Sequence, residues 1–152
     1  MWECPPTVRE CPSTKVYPKH VIGGGLEIKK SCIAGAGRGL FACADFKSNE
    51  IITKYEGKDI TFEEAKAMSN QKYIMQHTGK FIDGIKEPII GKGAGSFANS
   101  SIEHANTEKC LIGNDIWLKV KRGKHIQPGD EVLQLYSRQF HKNLLRSQSA
   151  LR

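Results

Sequence analysis

Glycine and proline divide this chain into short segments, and this pattern limits the fold more than any other feature of the sequence. The chain has 152 residues, including 15 glycines and 6 prolines. Between the turns lie short apolar, β-branched or aromatic runs, at 26–29, 40–43, 51–55, 116–121 and 131–136. Such runs, bounded by turn residues, are typical of β-strands. The pattern predicts a mainly β fold in a single domain, with many turns rather than long helices.

The segment Thr61–Glu64 predicts the clearest helix. It has the sequence of a capping box, in which the Thr61 hydroxyl accepts a hydrogen bond from the backbone three residues later and Glu64 reaches back. Apolar residues at 62, 65 and 68 then lie near one helical face. We therefore expect a helix of about 10 to 12 residues within 61–72.

Composition divides the chain into an arm, a core domain and a tail. Four of the six prolines lie in residues 1–22 and are followed by Gly23–Gly25, which predicts an extended arm over residues 1–25. The core domain is expected over residues 26–137. In the tail, residues 138–152, a helix capped by Ser137 is expected to place Phe140 and Leu144 together.

Charge is distributed unevenly along the chain. The formal net charge is +7. Residues 1–49 carry 7 basic and 4 acidic side chains, residues 50–116 carry 8 and 10, and residues 117–152 carry 8 and 2. The basic excess at both ends suggests an acidic partner, such as nucleic acid or an anionic cofactor.

Several classes of protein are excluded at this stage. No apolar run reaches the roughly 18 to 20 residues of a membrane span, and the first six residues lack the basic start and apolar stretch of a secretory signal. The five cysteines are odd in number and scattered, which argues against a disulfide scaffold and fits a reducing, intracellular compartment. Cys4 and Cys11 are too far apart for a C-x-x-C pair and no cysteine follows Cys110, so we expect no zinc.

The glycine-rich stretches do not fit the common nucleotide-binding motifs. Residues 84–93 lack the spacing of a phosphate-binding loop, and Lys92 is followed by glycine rather than Ser or Thr. Residues 35–39 loosely resemble the loop of Rossmann methyltransferases, but no capped helix follows them. A structural turn between two strands is the remaining simple interpretation of residues 35–39.

Three segments in order resemble the motifs of a SET domain. Residues 35–42 and 50–57 resemble the opening, G-x-G-x-G-L-F-A followed by Y-x-G. Residues 97–101 with 105–106 resemble the central motif, F/A-x-N-H-S followed by P-N. Residues 126–136 resemble the closing motif, I-x-x-G-E-E-L-T-x-x-Y, and the whole resemblance covers about residues 26–137.

This resemblance implies a fold, an activity and a cofactor. SET domains are β-clip-like folds of small sheets, with a C-terminal pseudoknot and one or two short helices. S-adenosylmethionine binds on one face and the substrate lysine enters a narrow channel from the other. The implied activity is S-adenosylmethionine-dependent protein-lysine N-methylation, with a histone as one expected substrate and the nucleus as the location in that case.

The resemblance also assigns cofactor-binding roles to residues of two motifs. These residues are Ala36, Gly37, Arg38, Asn99 and Ser100. Arg38 is expected to reach the cofactor carboxylate, and the Asn99 amide offers both donor and acceptor groups. A turn-stabilising role for Asn99 is the alternative.

Tyr136 is expected to be the catalytic residue. Methyl transfer needs a neutral amine, whereas free lysine titrates near about 10.4, and a dry aromatic channel disfavours the ammonium form. A phenol can orient the amine without being consumed. Tyr55 and Tyr73 are expected to line the lysine channel, with core packing as the alternative for both.

The sequence departs from the family pattern at several positions. Ser100 replaces the usual His, Ala105 replaces Pro, and Gln134 stands where many members have an aromatic residue. The zinc-binding flanking segments of many histone enzymes are also missing. Two alternatives to an enzyme therefore stay open: a SET-derived, non-catalytic peptide- or protein-binding module, and a basic nucleic-acid-binding domain.

Overall fold

Residues 20–135 are described by a computed structural model, and they form a mainly β fold, as predicted. The strands are β1 His20–Gly23, β2 Leu26–Lys30, β3 Arg38–Ala42, β4 Ile51–Lys54, β5 Gly57–Ile60, β6 Ile74–His77, β7 Lys80–Gly84, β8 Asn99–Ser100, β9 Thr107–Ile112, β10 Asp115–Val120 and β11 Glu131–Gln134. One helix, α1, spans Phe62–Ala67, and a 3₁₀ turn spans Gly95–Phe97.

The largest sheet carries the three motifs side by side. Its strand order is β1-β2-β3-β11-β8. The last strand of the described chain, β11, lies inside this sheet: it pairs antiparallel with β3 through Glu131 and Val132, and parallel with β8 through Leu133 and Gln134. The first part of the opening motif, the central motif and the closing motif therefore meet along one short strand.

The other two sheets have three strands each. In one, β10 lies between β4 and β9, and in the other, β7 lies between β5 and β6. All pairings in these two sheets are antiparallel. β5 and β9 were not predicted, because their sequences, Gly57–Ile60 and Thr107–Ile112, are rich in charged residues.

The main core lies against the five-stranded sheet and extends to β10. Alternation along β10 sends residues 116, 118 and 120 inward, which fits the period of two of a half-buried strand. A second cluster joins the β4 and β7 regions. The members of the main cluster are Ile22, Leu26, Ile28, Leu40, Ala42, Phe46, Ala94, Phe97, Ala98, Leu118, Val120, Ile126 and Val132.

The capping box is confirmed, but the predicted helix was too long. Thr61 Oγ1 accepts from the Glu64 backbone N–H at 3.1 Å, and the Glu64 carboxylate accepts from the Thr61 N–H at 3.0 Å. The helix ends at Ala67, because the next residue, Met68, has extended backbone angles. Gln71 then folds back and its Nε2 donates to Ala65 O at 3.2 Å, a carbonyl in the last turn of the helix.

The five-stranded sheet begins earlier in the chain than predicted. Residues 20–23 fall in the predicted arm, yet they form β1 and pair with β2. The rest of the arm and the helix expected after Ser137 lie outside the described residues. Cys110 is a free thiol, whereas Cys32 is disulfide-bonded, which the odd cysteine count did not predict.

Candidate active site

Glu131, the first residue of β11, joins two distant segments to the closing motif. Ser31 Oγ donates to Glu131 Oε2 at 2.7 Å, and the Cys32 backbone N–H donates to Oε1 at 2.9 Å. Asn99 Nδ2 donates to Oε2 at 3.3 Å. One carboxylate thus fixes the start of the turn between β2 and β3 (residues 31–37, hereafter the glycine turn) and the central motif against the closing strand.

The Glu131 carboxylate is fully buried, with none of its surface exposed. Burial raises the pKa of Glu131 above its ordinary value of 4.5, while the hydrogen bonds from Ser31, Cys32 and Asn99 act in the opposite direction. A buried carboxylate is retained in a protein only where donors surround it. The three donors explain how this strand accommodates a charge in the core.

Gly39 is required by the same carboxylate. A Cβ atom at this position would collide with Glu131 Oε2 and lie 3.2 Å from Asn99 Nδ2. The backbone angle of Gly39 is ordinary, so close approach explains this glycine. Gly35 and Gly37, in contrast, adopt left-handed angles of +76° and +75° that few other residues adopt.

The glycine turn is flanked by cationic and aromatic side chains. Lys72 Nζ donates to the Ala36 carbonyl at 2.9 Å. Arg38 Nη2 donates to the Lys86 carbonyl at 2.6 Å, and Nη1 lies 3.3 Å from the Glu87 carboxylate. The Arg38 guanidinium, which was expected to reach a cofactor carboxylate, is thus already bonded on this side of the site.

Asn99 and Ser100 form β8 and lie beside the closing strand. Asn99 Nδ2 also donates to the Arg38 carbonyl at 2.8 Å, which links the central motif directly to the end of the glycine turn. Asn99 Oδ1 accepts no hydrogen bond from the residues the structure describes. This arrangement anchors the amide nitrogen and leaves the carbonyl oxygen for a ligand.

Gln134 is buried at the end of β11, with 1% of its surface exposed. Its Nε2 donates to the Ala98 carbonyl at 2.7 Å, and its backbone carbonyl accepts from the Ser101 N–H at 3.0 Å. The side-chain oxygen Oε1 is buried and finds no donor within residues 20–135. An unsatisfied buried acceptor costs about 1–3 kcal/mol, so a ligand N–H at this point would recover that energy.

The side chains of Asn106, just before β9, and of Lys109, in β9, bind the main chain of β11 and of the residue after it. Asn106 binds β11 twice, donating to the Glu131 carbonyl at 2.9 Å and accepting from the Leu133 N–H at 2.8 Å. Lys109 Nζ donates to the Leu135 carbonyl at 2.8 Å. Burial lowers the pKa of Lys109. The Leu135 carbonyl belongs to the peptide unit that joins it to Tyr136, so Lys109 restrains the main chain directly before the predicted catalytic residue.

The two tyrosines expected to line a channel are adjacent. Tyr55 is 1% exposed, and its hydroxyl donates to the Tyr73 carbonyl at 2.6 Å. The Tyr73 ring packs edge-on against Phe97 at 6.2 Å, and Lys72 and Lys86 lie within 5.9 Å of its centre. Tyr73 therefore belongs to the same surroundings as the glycine turn. Tyr136 itself lies outside the described residues.

A cavity of about 360 Å³ is lined by other residues. It is walled by the β1–β2 turn, β4, residues 90–93 and Trp117, and none of the predicted site residues contributes to it. Within residues 20–135, no group of His, Cys, Asp or Glu side chains could hold a metal ion. No helix in this part of the chain is long and apolar enough to cross a membrane.

Sequence reasoning missed Glu131, Lys72 and Lys109 as members of the site. Glu131 had one usable signal, its place in the closing motif directly before the apolar pair Val132–Leu133. Lys72 and Lys109 had none, because each reaches a backbone carbonyl of a distant segment. Only the folded topology reveals such partners.

The solved structures that resemble this one support the fold. The chain is similar to a chain of ctPRC2 in an autoinhibited conformation bound to S-adenosylmethionine, with 19% identity and a TM-score of 0.60. That similarity covers 84% of this chain and 17% of the other. It is also similar to Chaetomium thermophilum Polycomb Repressive Complex 2 bound to GSK126, with 21% identity, a TM-score of 0.58, and coverage of 82% and 18%.

Sequence comparison gives the family. The chain is 30% identical over 106 residues to the histone-lysine N-methyltransferase, H3 lysine-36 specific, of Yarrowia lipolytica. This match covers 63% of the chain but only 13% of that protein. The SET domain family matches residues 37–137, which include the glycine turn's last residue, β8 and all of β11. The chain therefore belongs to the SET domain family.

Proposed function

We propose that this chain is an S-adenosylmethionine-dependent protein-lysine N-methyltransferase. The observation that carries the proposal is the parallel pairing of β8 with β11, which places Asn99 opposite Leu133 and Ser100 opposite Gln134, directly before Leu135 and Tyr136. The Asn99 bond to the Arg38 carbonyl brings the glycine turn to the same place. Membership of the SET domain family supports this assignment.

The residues at the glycine turn fit this cofactor. A Cβ at Gly35 would meet no atom within 4 Å, so that side of the turn is open to a ligand. Backbone groups of Ala36 and Gly37, together with Asn99 Oδ1 and Ser100, would hold the cofactor. Lys72, whose ammonium group reaches the Ala36 carbonyl of this turn, would bind its carboxylate. When bound, the cofactor supplies a methyl group on a sulfonium sulfur.

The end of β11 would receive the substrate amine. Gln134 Oε1 is a buried acceptor, and the ε-amino group of a substrate lysine carries the N–H that it needs. Tyr136 would orient that amine. Tyr73 would wall the channel, and the buried Tyr55 would support that wall by donating its hydroxyl hydrogen to the Tyr73 carbonyl.

A histone is the substrate we propose to test first, because the Yarrowia lipolytica relative is described as specific for H3 lysine 36. The full chain is incubated with labelled S-adenosylmethionine, a panel of histones and a cell extract, and mass spectrometry locates the modified lysine. A histone substrate would place the protein in the nucleus. Methyl transfer to a protein lysine is the expected result.

Two variants test the site within this assay. Asn99→Ala should weaken cofactor binding at least about tenfold, because a buried polar contact is worth roughly 1.5 kcal/mol or more. Asn114→Ala is the matched control, since Asn114 is exposed in the β9–β10 turn. Tyr136→Phe should lower the transfer rate without unfolding the protein. An unchanged rate for Tyr136→Phe would remove Tyr136 from the proposed mechanism.

A non-catalytic SET-derived binding module is the second candidate function. Three observations favour it: Ser100 replaces the usual His, Gln134 replaces the usual aromatic residue, and Arg38 is already paired. Such a module would bind a lysine-containing peptide without transferring a methyl group. Titration calorimetry separates the two functions, since a chain with no measurable affinity for S-adenosylmethionine would be a binding module.

A further inference from the structure

We infer that two adjacent turns form a docking surface for the phosphate backbone of duplex DNA. The surface, hereafter the basic turn surface, consists of Lys47 in the turn before β4 and of Lys121, Arg122 and Lys124 in the turn after β10. This inference does not depend on the proposed methyltransferase activity. None of its four cations is a predicted site residue.

The two turns are fixed to each other by hydrogen bonds. The Gly123 N–H donates to Ser48 Oγ at 2.8 Å, and the Asn49 N–H donates to the Val120 carbonyl at 3.0 Å. Phe46 and Ile126 form an isolated antiparallel bridge next to these bonds. The cations are therefore carried on a braced backbone, which lowers the entropy lost on binding.

The four cations of this surface have no carboxylate partner among the described residues. Elsewhere several basic side chains form ion pairs with carboxylates, as in Lys80 with Asp59 at 3.3 Å and Lys86 with Asp83 at 2.9 Å. The two acidic residues of these turns, Asp45 and Glu50, interact with other groups. Asp45 lies 3.4 Å from His125, and the Glu50 carboxylate accepts from the Lys47 backbone N–H at 2.9 Å.

The chemistry of the surface favours a nucleic-acid backbone over a lipid surface. Surfaces that enter a membrane interface combine cations with exposed large apolar side chains. Here the large apolar residues of the two turns, Phe46 and Ile126, are buried, with 6% and none of their surface exposed. Arg122 offers the planar donors that bind phosphate oxygens in pairs, and the lysines add point charges around it.

The experiment measures binding of the full chain to a fluorescent 20-base-pair duplex by anisotropy between 50 and 200 mM salt. Four phosphate contacts predict a slope of about −3.6 for log affinity against log salt, or a loss of about 150-fold over this range. The double variant Arg122→Gln, Lys124→Gln should reduce the slope by about 1.8.

A matched double variant removes the same charge elsewhere. Lys58→Gln with Lys92→Gln changes two exposed lysines that have no acidic partner within the described residues and lie outside the basic turn surface. It should retain the wild-type slope. An equal loss in both double variants would show that only net charge matters and would overturn the inference. So would tighter binding of an acidic peptide than of the duplex, or no binding at 50 mM salt.

Discussion

Truncating Glu131 should destabilise the fold far more than neutralising it. In Glu131→Ala, the Cys32 N–H and the Ser31 hydroxyl lose their buried acceptor. Asn99 loses only its longer bond at 3.3 Å, because it keeps the Arg38 carbonyl at 2.8 Å. In Glu131→Gln, the side chain keeps its shape, and one oxygen can still accept from Cys32.

The magnitudes follow from this count of donors. The Ser31 hydroxyl and the Cys32 N–H, left without an acceptor, cost about 1–3 kcal/mol each. A central value of about 4 kcal/mol for Glu131→Ala is a large part of the 5–15 kcal/mol by which domains are typically stable. Glu131→Gln exchanges charge-assisted bonds for neutral ones and also removes the cost of burying a charge. We expect it to change the free energy of unfolding by less than about 2 kcal/mol at neutral pH.

The pH dependence of stability gives a second and independent readout. Burial raises the pKa of Glu131 in the folded protein above its ordinary value of 4.5. The folded state therefore holds this proton to higher pH than the unfolded chain does. The stabilisation that protonated Glu131 gives the folded state is fully present below about pH 4.5 and is lost as the pH rises through the folded-state pKa. Glutamine does not titrate. The free energy of unfolding of Glu131→Gln should therefore increase relative to that of the wild type as the pH rises.

Urea unfolding followed by circular dichroism, at several pH values between 4.5 and 8, measures all three proteins. A loss below about 1 kcal/mol for Glu131→Ala would show that the carboxylate does not hold the glycine turn and Asn99 in place. If the unfolding free energies of wild type and Glu131→Gln differ by the same amount across this pH range, the raised pKa of Glu131 is contradicted. Either result would refute the reasoning about this network.

Three further changes test neighbouring features. Gly39→Ala should destabilise the protein by at least about 2 kcal/mol in urea unfolding, since its methyl group would collide with Glu131, whereas a neutral effect would mean that β3 shifts freely. Thr61→Ala should cost about 1 kcal/mol by removing the helix cap, measured in the same way; no loss would exclude the capping box as a stabilising element. Lys109→Met should lower the methyl-transfer rate with little change in substrate KM, because it frees the Leu135 carbonyl; a matching loss of stability instead would show a structural role.

Much of the fold could be predicted because its signals are local. Alternation identified β2, an apolar run identified β10, and the capping box located the start of α1, since all three signals depend on residues a few positions apart. The end of α1 could not be predicted, because the side chain of Gln71 binds Ala65 O only once the chain has turned back. β9 was missed since its residues alternate weakly and are stabilised by pairing with β10.

The candidate site was predicted in part for a related reason. Motif order identified Asn99 and Ser100, and the structure places both beside the closing strand. The expected role of Arg38 depended on where a long side chain points, and Glu87, which sequence reasoning did not consider, lies beside it. The unsatisfied oxygen of Gln134 depends on which donors surround it after folding, so no pattern in the sequence could show it.

The position of β11 between β3 and β8 has a consequence for how the chain is made. The two partners of Glu131 and Val132 in β3 are Phe41 and Leu40, about 90 residues earlier. During synthesis, β3 leaves the ribosome long before β11 exists, and its unpaired edge stays open to other chains. Folding of the sheet that carries the site must therefore wait until the closing strand has emerged, and we expect slow, late completion that depends on protection of the nascent chain.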